Sequence, residues 1–332
     1  MSGSLRLVGL IYLVLTAFRV ICVLNLHTQF DPDEYWQTLE PAYCEAFRQS
    51  SCAYTWEWTR RAATDAQQSV SFLEGSLGGP VRSYVSVFPT YLLYVAARFF
   101  RFDTPWWIAK GPLILNAIVI SAPTDFCVWW TARILFSSDG VAAWALFCSV
   151  TSWFHAYALV RTYSNSMECM LLALGIALVC TVSQSSALSQ NKACPELTSF
   201  PKSLKESPKH VPFDRLFAAF VLGGLSVAVR ITSLASWVPL GIWLALAQPS
   251  RQAQAWFTLH PCATGGSLGL FLSILVDRLF YGFWTFPLLG NLDFNVLQGE
   301  LFCQSSILAS APFIAQYRTG GIVWNTSLAL VS

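Results

Sequence analysis

Charge is scarce in this chain of 332 residues, because Asp, Glu, Lys and Arg together make up only 11% of it. Soluble globular proteins carry about 25% of such residues. Hydrophobic residues reach 55% and aromatic residues 15%, as in a chain with many apolar segments. The composition therefore excludes a water-soluble globular protein. It predicts an all-α membrane protein that crosses the bilayer several times.

Several functional signals are also missing. The formal net charge is +2, and no basic cluster forms a phosphate footprint, so no nucleic-acid partner is expected. The ten cysteines lie mostly inside apolar runs, and no CxxC or Cys/His spacing indicates a metal site. No glycine-rich phosphate loop is present, so we expect neither a metal nor a cofactor. Cys44 and Cys52 share a polar loop and could pair in an oxidising compartment.

The apolar runs divide the chain into transmembrane parts and polar loops. In order, these are a first transmembrane span at 5–26, a polar loop at 27–83, a transmembrane bundle at 84–183, a second polar loop at 184–214, a second transmembrane bundle at 215–298 and a tail at 299–332.

Two of the runs raise questions about the spans. Arg19 lies inside the first span, and we expect it to face the protein interior rather than lipid. The run 84–100 predicts the second span. The run 106–136 is interrupted by prolines and by Asp125. It is either one long kinked helix or two short spans.

The two polar loops differ in charge. Loop 27–83 has eight acidic and four basic residues, whereas loop 184–214 contains four lysines. Because basic residues favour the cytoplasmic side, we expect the first loop in the lumen and the second in the cytosol. That arrangement counts 106–136 as two spans. Segment 62–80 of the first loop is rich in Gln, Ser and Gly, and we predict a mobile insertion there.

A helix is predicted to begin just after the first span. Asp31 is suited to the N-cap, Pro32 to the first helical position, and Glu34 completes a capping box. Glu34 is then expected to turn back towards the backbone. Asp33 is not needed for capping, so its carboxylate has a spare role.

The same helix should carry an apolar stripe. Trp36, Leu39, Tyr43 and Phe47 recur at spacings of three and four residues, which places them on one face. Pro41 is expected to kink or end the helix after one or two turns.

Six short motifs occur in an order that resembles a known family. They are Asp-Pro-Asp-Glu-Tyr-Trp-Gln at 31–37, Tyr-Thr-Trp-Glu-Trp at 54–58, Arg-Ser-Tyr at 82–84, Arg-Thr-Tyr-Ser-Asn-Ser-Met-Glu at 161–168, Arg-Ile-Thr at 230–232 and Asp-Arg-Leu-Phe-Tyr-Gly at 277–282.

Together these motifs resemble the dolichyl-phosphate-mannose-dependent mannosyltransferases of the GT-C superfamily, in glycosyltransferase family 22. The resemblance covers roughly residues 5–298. Its Glu-Tyr-Trp-Gln continuation is most similar to the enzymes that add the third, α-1,2-linked mannose to the glycosylphosphatidylinositol (GPI) anchor precursor. Mannosyltransferases of N-glycan assembly share Pro-Asp-Glu and Thr-Trp-Glu-Trp.

The resemblance implies a GT-C-type multispan bundle in the endoplasmic reticulum membrane, with a large first lumenal loop. It implies transfer of mannose from dolichyl-phosphate-mannose, a substrate rather than a cofactor, to a GPI glycolipid acceptor. The active site is then lumenal, and the reaction is an inverting single displacement. By resemblance Asp33 is the base that takes the acceptor hydroxyl proton, and Glu34 is the second candidate.

Substrate contacts follow from the same motifs. A departing lipid phosphate requires positive charge, which Arg161 or Arg230 could supply at span ends; alternatively each snorkels or pairs with an acid such as Glu168. The aromatic faces at 56–58 suit a sugar ring, although aromatic residues are also common at membrane interfaces. The candidate substrate-binding residues are Gln37, Trp56, Glu57, Trp58, Arg82, Arg161, Asn165 and Arg230.

Other interpretations stay open. Intramembrane ionisable residues such as Asp125 and Arg133 could mark the ion path of a transporter, although no internal repeat relates the two halves. A non-catalytic membrane protein could keep the fold, and an N-glycan mannosyltransferase would keep the chemistry with another acceptor. Arg278 is expected to snorkel or to pair with the adjacent Asp277 rather than to bind a substrate.

The end of the chain differs in character. The resemblance stops at residue 298, and residues 301–332 contain one charged residue, Arg318, with apolar pieces too short to span a bilayer. From this we expect 299–332 to be a divergent or truncated tail after a shifted reading frame or an early end. Transfer by the chain would then be weak or absent.

Overall fold

A computed structural model describes residues 2–28, 32–48, 52, 54–59, 71–191, 213–246 and 251–297. Within these ranges the chain forms helices and turns, without a strand. The prediction of an all-α protein is therefore confirmed. The helices are α1 (Ser2–Leu24), α2 (Glu40–Phe47), α3 (Phe72–Ser76), α4 (Phe88–Phe99), α5 (Pro105–Asn116), α6 (Ala122–Phe136), α7 (Asp139–Thr151), α8 (Trp153–Tyr157), α9 (Ser164–Asn191), α10 (Phe213–Val229), α11 (Leu234–Leu246), α12 (Arg251–Phe257), α13 (Gly265–Tyr281) and α14 (Pro287–Leu292).

Wider π-helical turns adjoin several of these helices. They cover Tyr35–Leu39, Ala117–Ser121, Thr258–Thr264 and Asp293–Leu297, and a 3-10 turn covers Ile231–Ser233. The predicted tail at 299–332 lies outside the described residues.

The described part of the chain contains four helical stretches long and apolar enough to cross a bilayer, which confirms a polytopic membrane protein. Two shorter apolar helices occur at Asp139–Thr151 and Ile231–Leu246. The four candidate spans are Arg6–Leu24, Pro105–Phe136, Ser164–Val182 and Ala255–Tyr281.

The run 106–136 is one long helix rather than two short spans. Helix α5, the π-helical turn and α6 form a continuous stretch of 32 residues, Pro105–Phe136. At 1.5 Å per residue it is about 48 Å long. Pro123 stands in the first turn of α6, where a missing N–H costs least, and the wider turn before it accommodates the ring.

The predicted span at 84–100 is only a short helix. Helix α4 has 12 residues, whereas a bilayer core needs about 20. It packs beside α2, because the ring centroids of Tyr43 and Tyr94 lie 6.0 Å apart and Arg98 Nη1 donates to Ala46 O at 2.8 Å. We therefore do not count α4 among the candidate spans.

Helix α7 runs back along α6. Ala142 packs against Trp129 near the end of α6, and further along Ser121 Oγ donates to Leu159 O at 2.9 Å. Lys110 Nζ donates to Val23 O at 3.5 Å, so the first half of α5 lies beside the end of α1.

We call the side of the bundle where α1 ends the loop end. It includes the segments 26–28, 158–168, 230–233 and 277–285.

Arg19 faces the interior, as predicted. Its side chain is fully buried and donates to both carboxylate oxygens of Asp125, from Nε at 2.7 Å and from Nη2 at 2.9 Å. Ser149 Oγ also donates to Asp125, at 2.6 Å, and His155 Nδ1 lies 3.2 Å from Ser149 Oγ. This cluster joins α1, α6 and α7 inside the membrane part.

Helices α10 and α13 pack through glycines. A Cβ on Gly224 would lie 2.2 Å from Gly266 O, and one on Gly269 would lie 2.2 Å from Val221 O. The two backbones therefore approach as closely as small residues allow in membrane bundles. Since both helices run in the same direction, Arg230 and Asp277 emerge together at the loop end.

The predicted insertion at 62–80 is partly packed into the fold. Residues 62–70 lie outside the described ranges, but helix α3 contacts the chain after α13. Thr285 Oγ1 donates to Gly75 O at 2.7 Å, and Phe286 N donates to Ser76 Oγ at 3.0 Å. The described part of this segment, 71–80, is thus attached to the chain after α13 by hydrogen bonds.

Candidate active site

The helix that carries the acidic motif continues past Pro41. A π-helical turn, Tyr35–Leu39, leads into α2, and Pro41 occupies the first turn of α2. The prediction that Pro41 ends or kinks the helix after one or two turns is wrong, because the wider turn removes the need for its N–H. The extra residue in that turn also shifts the register, so Trp36 is 41% exposed while Leu39 is buried.

Glu34 does not act as a capping residue. Its carboxylate is 3% exposed and forms an ion pair with Arg161 Nη1 at 2.7 Å. It also accepts from Thr162 N at 3.3 Å. The predicted N-cap, Asp31, lies outside the described residues. A buried guanidinium offers Glu34 a stronger partner than a backbone N–H does, which is why the local prediction fails.

Hydrogen bonds and a cation–ring contact hold Arg161 and Thr162 in place. Arg161 Nη2 donates to Thr28 O at 2.6 Å, and its guanidinium carbon lies 4.5 Å from the ring centroid of Tyr157. Thr38 Oγ1 donates to Thr162 O at 2.6 Å. The helix at 35–47 is thereby joined to the start of α9, and Arg161 is held by protein groups at 2% exposure.

Asp33 lies on the other side of the same turn. Its side chain is exposed, and Gln37 Nε2 donates to Asp33 Oδ2 at 2.8 Å. Gln37 is itself buried, so it orients the carboxylate from below. The two neighbouring acids are therefore in opposite environments, with Glu34 inside and Asp33 at the surface of the loop end.

The Trp-Glu-Trp motif divides its residues between core and surface. Trp58 is 5% exposed, and its Nε1 donates to Trp36 O at 3.0 Å. Trp56 is 50% exposed and lies against Phe294, with ring centroids 4.6 Å apart. Trp56 thus presents an aromatic face at the loop end, whereas Trp58 supports the acidic helix.

Arg230 belongs to a second polar cluster, at the start of α9. Its Nε lies 3.3 Å from Glu168 Oε2, and its Nη1 donates to Asn165 Oδ1. Glu168 Oε1 also accepts from Thr232 Oγ1 at 2.9 Å and from Ser233 Oγ at 2.7 Å. The pairing of Arg230 with Glu168, left open by the sequence, is present.

A polar cavity lies beside this cluster. It has a volume of about 220 Å³, and Arg82 and Arg230 both line it. Arg82 Nη2 pairs with Glu57 Oε1 at 2.9 Å, and both side chains are about one-fifth exposed, at 22% and 18%. Sequence reasoning missed Asn291 and Asn295, which also line the cavity, because two amides four residues apart gave no chemical signal.

The structure thus gathers the predicted residues at one end of the bundle in two groups. The first group is Asp33, Glu34, Gln37, Trp58 and Arg161. The second group is Trp56, Glu57, Arg82, Asn165 and Arg230. The segment 161–168 contacts both groups, because Thr162 binds Glu34 and Asn165 binds Arg230.

A disulfide closes the acidic helix against the loop that follows it. Cys44 and Cys52 are bonded, which is the pairing considered from the sequence. Next to it, Tyr54 Oη donates to Glu45 Oε1 at 2.8 Å. Burial and this hydrogen bond to Glu45 raise the pKa of the Tyr54 hydroxyl. Tyr54 therefore stays a neutral donor over the physiological pH range.

No metal-binding arrangement stands out where the chain is described, since no three His, Cys, Asp or Glu residues in that part converge on a common point.

Comparison with known proteins assigns the family. The sequence profile of the Alg9-like mannosyltransferase family matches residues 10–303. The chain belongs to this family. All six motifs lie within the matched range, so the resemblance noted in the sequence is confirmed. No solved structure matches the chain.

Named relatives within the Alg9-like family agree with one another. The chain is 30% identical over 288 residues to a GPI mannosyltransferase 3 of Yarrowia lipolytica. It is 30% identical over 290 residues to a GPI alpha-1,2-mannosyltransferase 3 of Mus musculus, and 29% identical over 287 residues to Mannosyltransferase APTG1 of Arabidopsis thaliana. These alignments cover 86–87% of the chain but only 43–46% of each relative, so the chain spans less than half of their length.

Proposed function

We propose that this chain carries the catalytic end of a GPI mannosyltransferase. In this proposal it transfers an α-1,2-linked mannose, the third of the anchor, from dolichyl-phosphate-mannose to the GPI precursor. The family membership and the names of the relatives support the reaction class. The observation that carries the proposal is the contrast between Asp33, exposed and oriented by Gln37, and Glu34, buried against Arg161.

The contrast supports different roles for the two acids. A general base must be within reach of the acceptor hydroxyl, and Asp33 is on the accessible side of its turn. Glu34 holds Arg161 and Thr162 with both of its oxygens, so we assign it a structural role. The ion pair keeps the acidic helix on the start of α9, and thereby sets where Asp33 stands.

The cavity beside Arg82 and Arg230 is the proposed position of the lipid phosphate. Two guanidinium groups face one polar space of about 220 Å³, and each is partly neutralised by one carboxylate, Glu57 or Glu168. A dianionic phosphate leaving group gains charge-assisted hydrogen bonds there. Arg161 is buried by its protein contacts, so we assign the phosphate to Arg82 and Arg230 rather than to Arg161.

The displacement needs no general acid to protonate the leaving group. The acceptor hydroxyl oxygen bonds to the anomeric carbon of mannose as the bond from that carbon to the phosphate oxygen breaks. The acceptor proton passes to Asp33, and the electron pair leaves on the lipid phosphate. Single displacement inverts the configuration at that carbon. Trp56 is exposed close to the cavity residues through its contact with Phe294, and its ring offers a stacking face for the sugar.

The acceptor decides between the proposed function and its nearest alternative. Microsomes from cells without their own GPI mannosyltransferase 3, expressing this chain, are supplied with labelled dolichyl-phosphate-mannose. We expect label in a GPI precursor that gains one mannose, measured by mass spectrometry of extracted glycolipids. Label in the lipid-linked oligosaccharide instead would assign the chain to N-glycan assembly, and microsomes carrying the empty vector are the control.

Orientation is the second part of the proposal. We place loop 27–83 in the lumen and loop 184–214 in the cytosol, and the opposite charge bias of the two loops supports this orientation. The Cys44–Cys52 disulfide supports this side, because disulfides persist in oxidising compartments. We propose the endoplasmic reticulum membrane with the loop end in the lumen.

Glycosylation tags measure this orientation. A short acceptor sequence is inserted within 62–70 in one variant and near 190 in the other. We expect the first variant to be glycosylated in cells and the second to stay unmodified. Glycosylation is measured as a shift in gel mobility that a glycosidase reverses. Modification of the second variant alone would reverse the proposed orientation.

A further inference from the structure

Arg82 is held from several sides, although it lies in a loop. Its guanidinium pairs with Glu57, as described. The backbone beside it is fixed too, because Tyr281 Oη donates to Arg82 O at 2.7 Å and Val81 N donates to Glu57 O at 3.0 Å. A loop arginine usually has many rotamers to lose on binding. Here the backbone that carries the side chain is already fixed.

The residues after Arg82 are bound by a buried carboxylate on α13. Asp277 is completely buried. It accepts from Ser83 Oγ at 3.0 Å and from Tyr84 N at 2.7 Å. Of the two alternatives left open for Arg278, pairing with Asp277 is not seen, and the Arg278 guanidinium lies 5.7 Å from the Trp284 ring centroid instead. A buried carboxylate needs hydrogen-bond donors, and those of Asp277 come from the two residues that follow Arg82.

Aromatic contacts complete the same attachment. The ring of Tyr84 stacks on Phe280 with centroids 4.4 Å apart and planes at 6°, and its centroid lies 4.9 Å from that of Tyr281. Asp277, Phe280 and Tyr281 follow one another at spacings of four residues or less, so they lie on one face of the last turns of α13. Ser83 and Tyr84 are buried beside that face, whereas the Arg82 side chain stays 22% exposed.

We propose that this face of α13 positions Arg82 for the lipid phosphate, with Asp277 and Tyr281 as positioning residues that never touch the substrate. The inference rests on the proposed function of the cavity and deepens it. Because α13 also leads directly into the segment with Asn291 and Asn295, one helix sets both sides of the cavity that Arg82 and Arg230 line.

The test measures phosphate affinity directly. Farnesyl phosphate, a short prenyl phosphate, is titrated into the purified chain in detergent, and the dissociation constant is obtained by calorimetry. Loss of Arg82 removes a charge-assisted contact, so R82A is expected to weaken binding about 10- to 100-fold. Y281F leaves the arginine present but loosens its backbone, and about 3- to 10-fold weaker binding is expected.

The double variant separates positioning from general stability. If Tyr281 acts through Arg82, R82A/Y281F binds no more weakly than R82A alone. The matched control is Y94F, which removes another buried tyrosine hydroxyl that donates to a backbone carbonyl, that of Ile108 at 2.9 Å; its affinity should equal that of the unchanged chain. Wild-type affinity for Y281F, or additive losses in the double variant, would overturn the inference.

Asp277 supplies an independent check. In D277N the amide oxygen can still accept from Tyr84 N, so near-normal affinity is expected, whereas D277L should weaken binding as much as Y281F or more. Equal, large losses in both variants would contradict a role as a hydrogen-bond acceptor. If R82A itself binds like the unchanged chain, the assignment of the phosphate to this cavity is wrong, and the inference fails with it. If R82A weakens binding but Y281F does not, only the positioning role of Tyr281 is wrong.

Discussion

Asp33→Asn is expected to lower mannosyl transfer by about 10²–10⁴-fold, the usual cost of losing a general base. The amide keeps the shape of the side chain, and its oxygen can still accept from Gln37 Nε2, which now donates to Asp33 at 2.8 Å. Only the ability to take a proton is removed. Initial rates in microsomes with labelled dolichyl-phosphate-mannose measure the effect, with protein amount determined by immunoblot.

The matched control for this variant is Asp103→Asn. Asp103 is also an exposed carboxylate, but it lies in the loop between α4 and α5 rather than in the acidic motif. Its rate should equal that of the unchanged chain. Full activity of Asp33→Asn at equal protein amount would refute the assignment of the base, and a loss in both variants would indicate a general effect of surface charge.

Arg19→Met is expected to destabilise the protein by about 3–5 kcal/mol, because it leaves Asp125 buried without its cation. Both side chains are fully buried, and they share two hydrogen bonds. The second change Asp125→Leu removes the remaining charge, so the double variant should recover part of the loss. The midpoint of thermal unfolding in detergent, together with accumulation in membranes, measures both effects.

An exposed ion pair provides the comparison for this result. Arg133 Nε lies 2.8 Å from Asp139 Oδ1, with the two side chains 36% and 81% exposed. Such surface pairs contribute about 0–1 kcal/mol, so Arg133→Met should change the unfolding midpoint little. An Arg19→Met protein as stable as Arg133→Met would show that the buried pair is not needed for the bundle.

The two variants fail in different ways, which separates catalysis from folding. Asp33→Asn should accumulate normally and transfer poorly. Arg19→Met should accumulate poorly, and its activity per molecule should fall only as far as the folded fraction does. Glu34 lies between these cases, because its loss leaves Arg161 buried without its ion-pair partner and also releases the turn that carries Asp33.

The sequence alone predicted the class of the protein and the segment that we propose carries its chemistry. Scarce charge and long apolar runs are properties of composition, and they suffice for an all-α membrane protein because only helices or closed barrels satisfy the backbone in a bilayer. The acidic cluster at 31–40 stood out against that background. The order of six motifs predicted the family, since such motifs are read along the chain without knowledge of contacts.

The tertiary structure decided which of the adjacent acids is buried and which is exposed. Glu34 pairs with Arg161, 127 residues away, and capping preferences consider only the next few residues. The same limit applies to α4, which the apolar pattern predicted as a span, and to Pro41, whose effect depends on the π-helical turn before it. Asp277 likewise accepts hydrogen bonds from neutral donors 193 and 194 residues away and does not pair with the neighbouring Arg278. Contacts of this kind depend on how the helices pack against one another. The spacing of hydrophobic residues predicts which face of a helix is buried, but it does not predict which residue of another helix contacts that face.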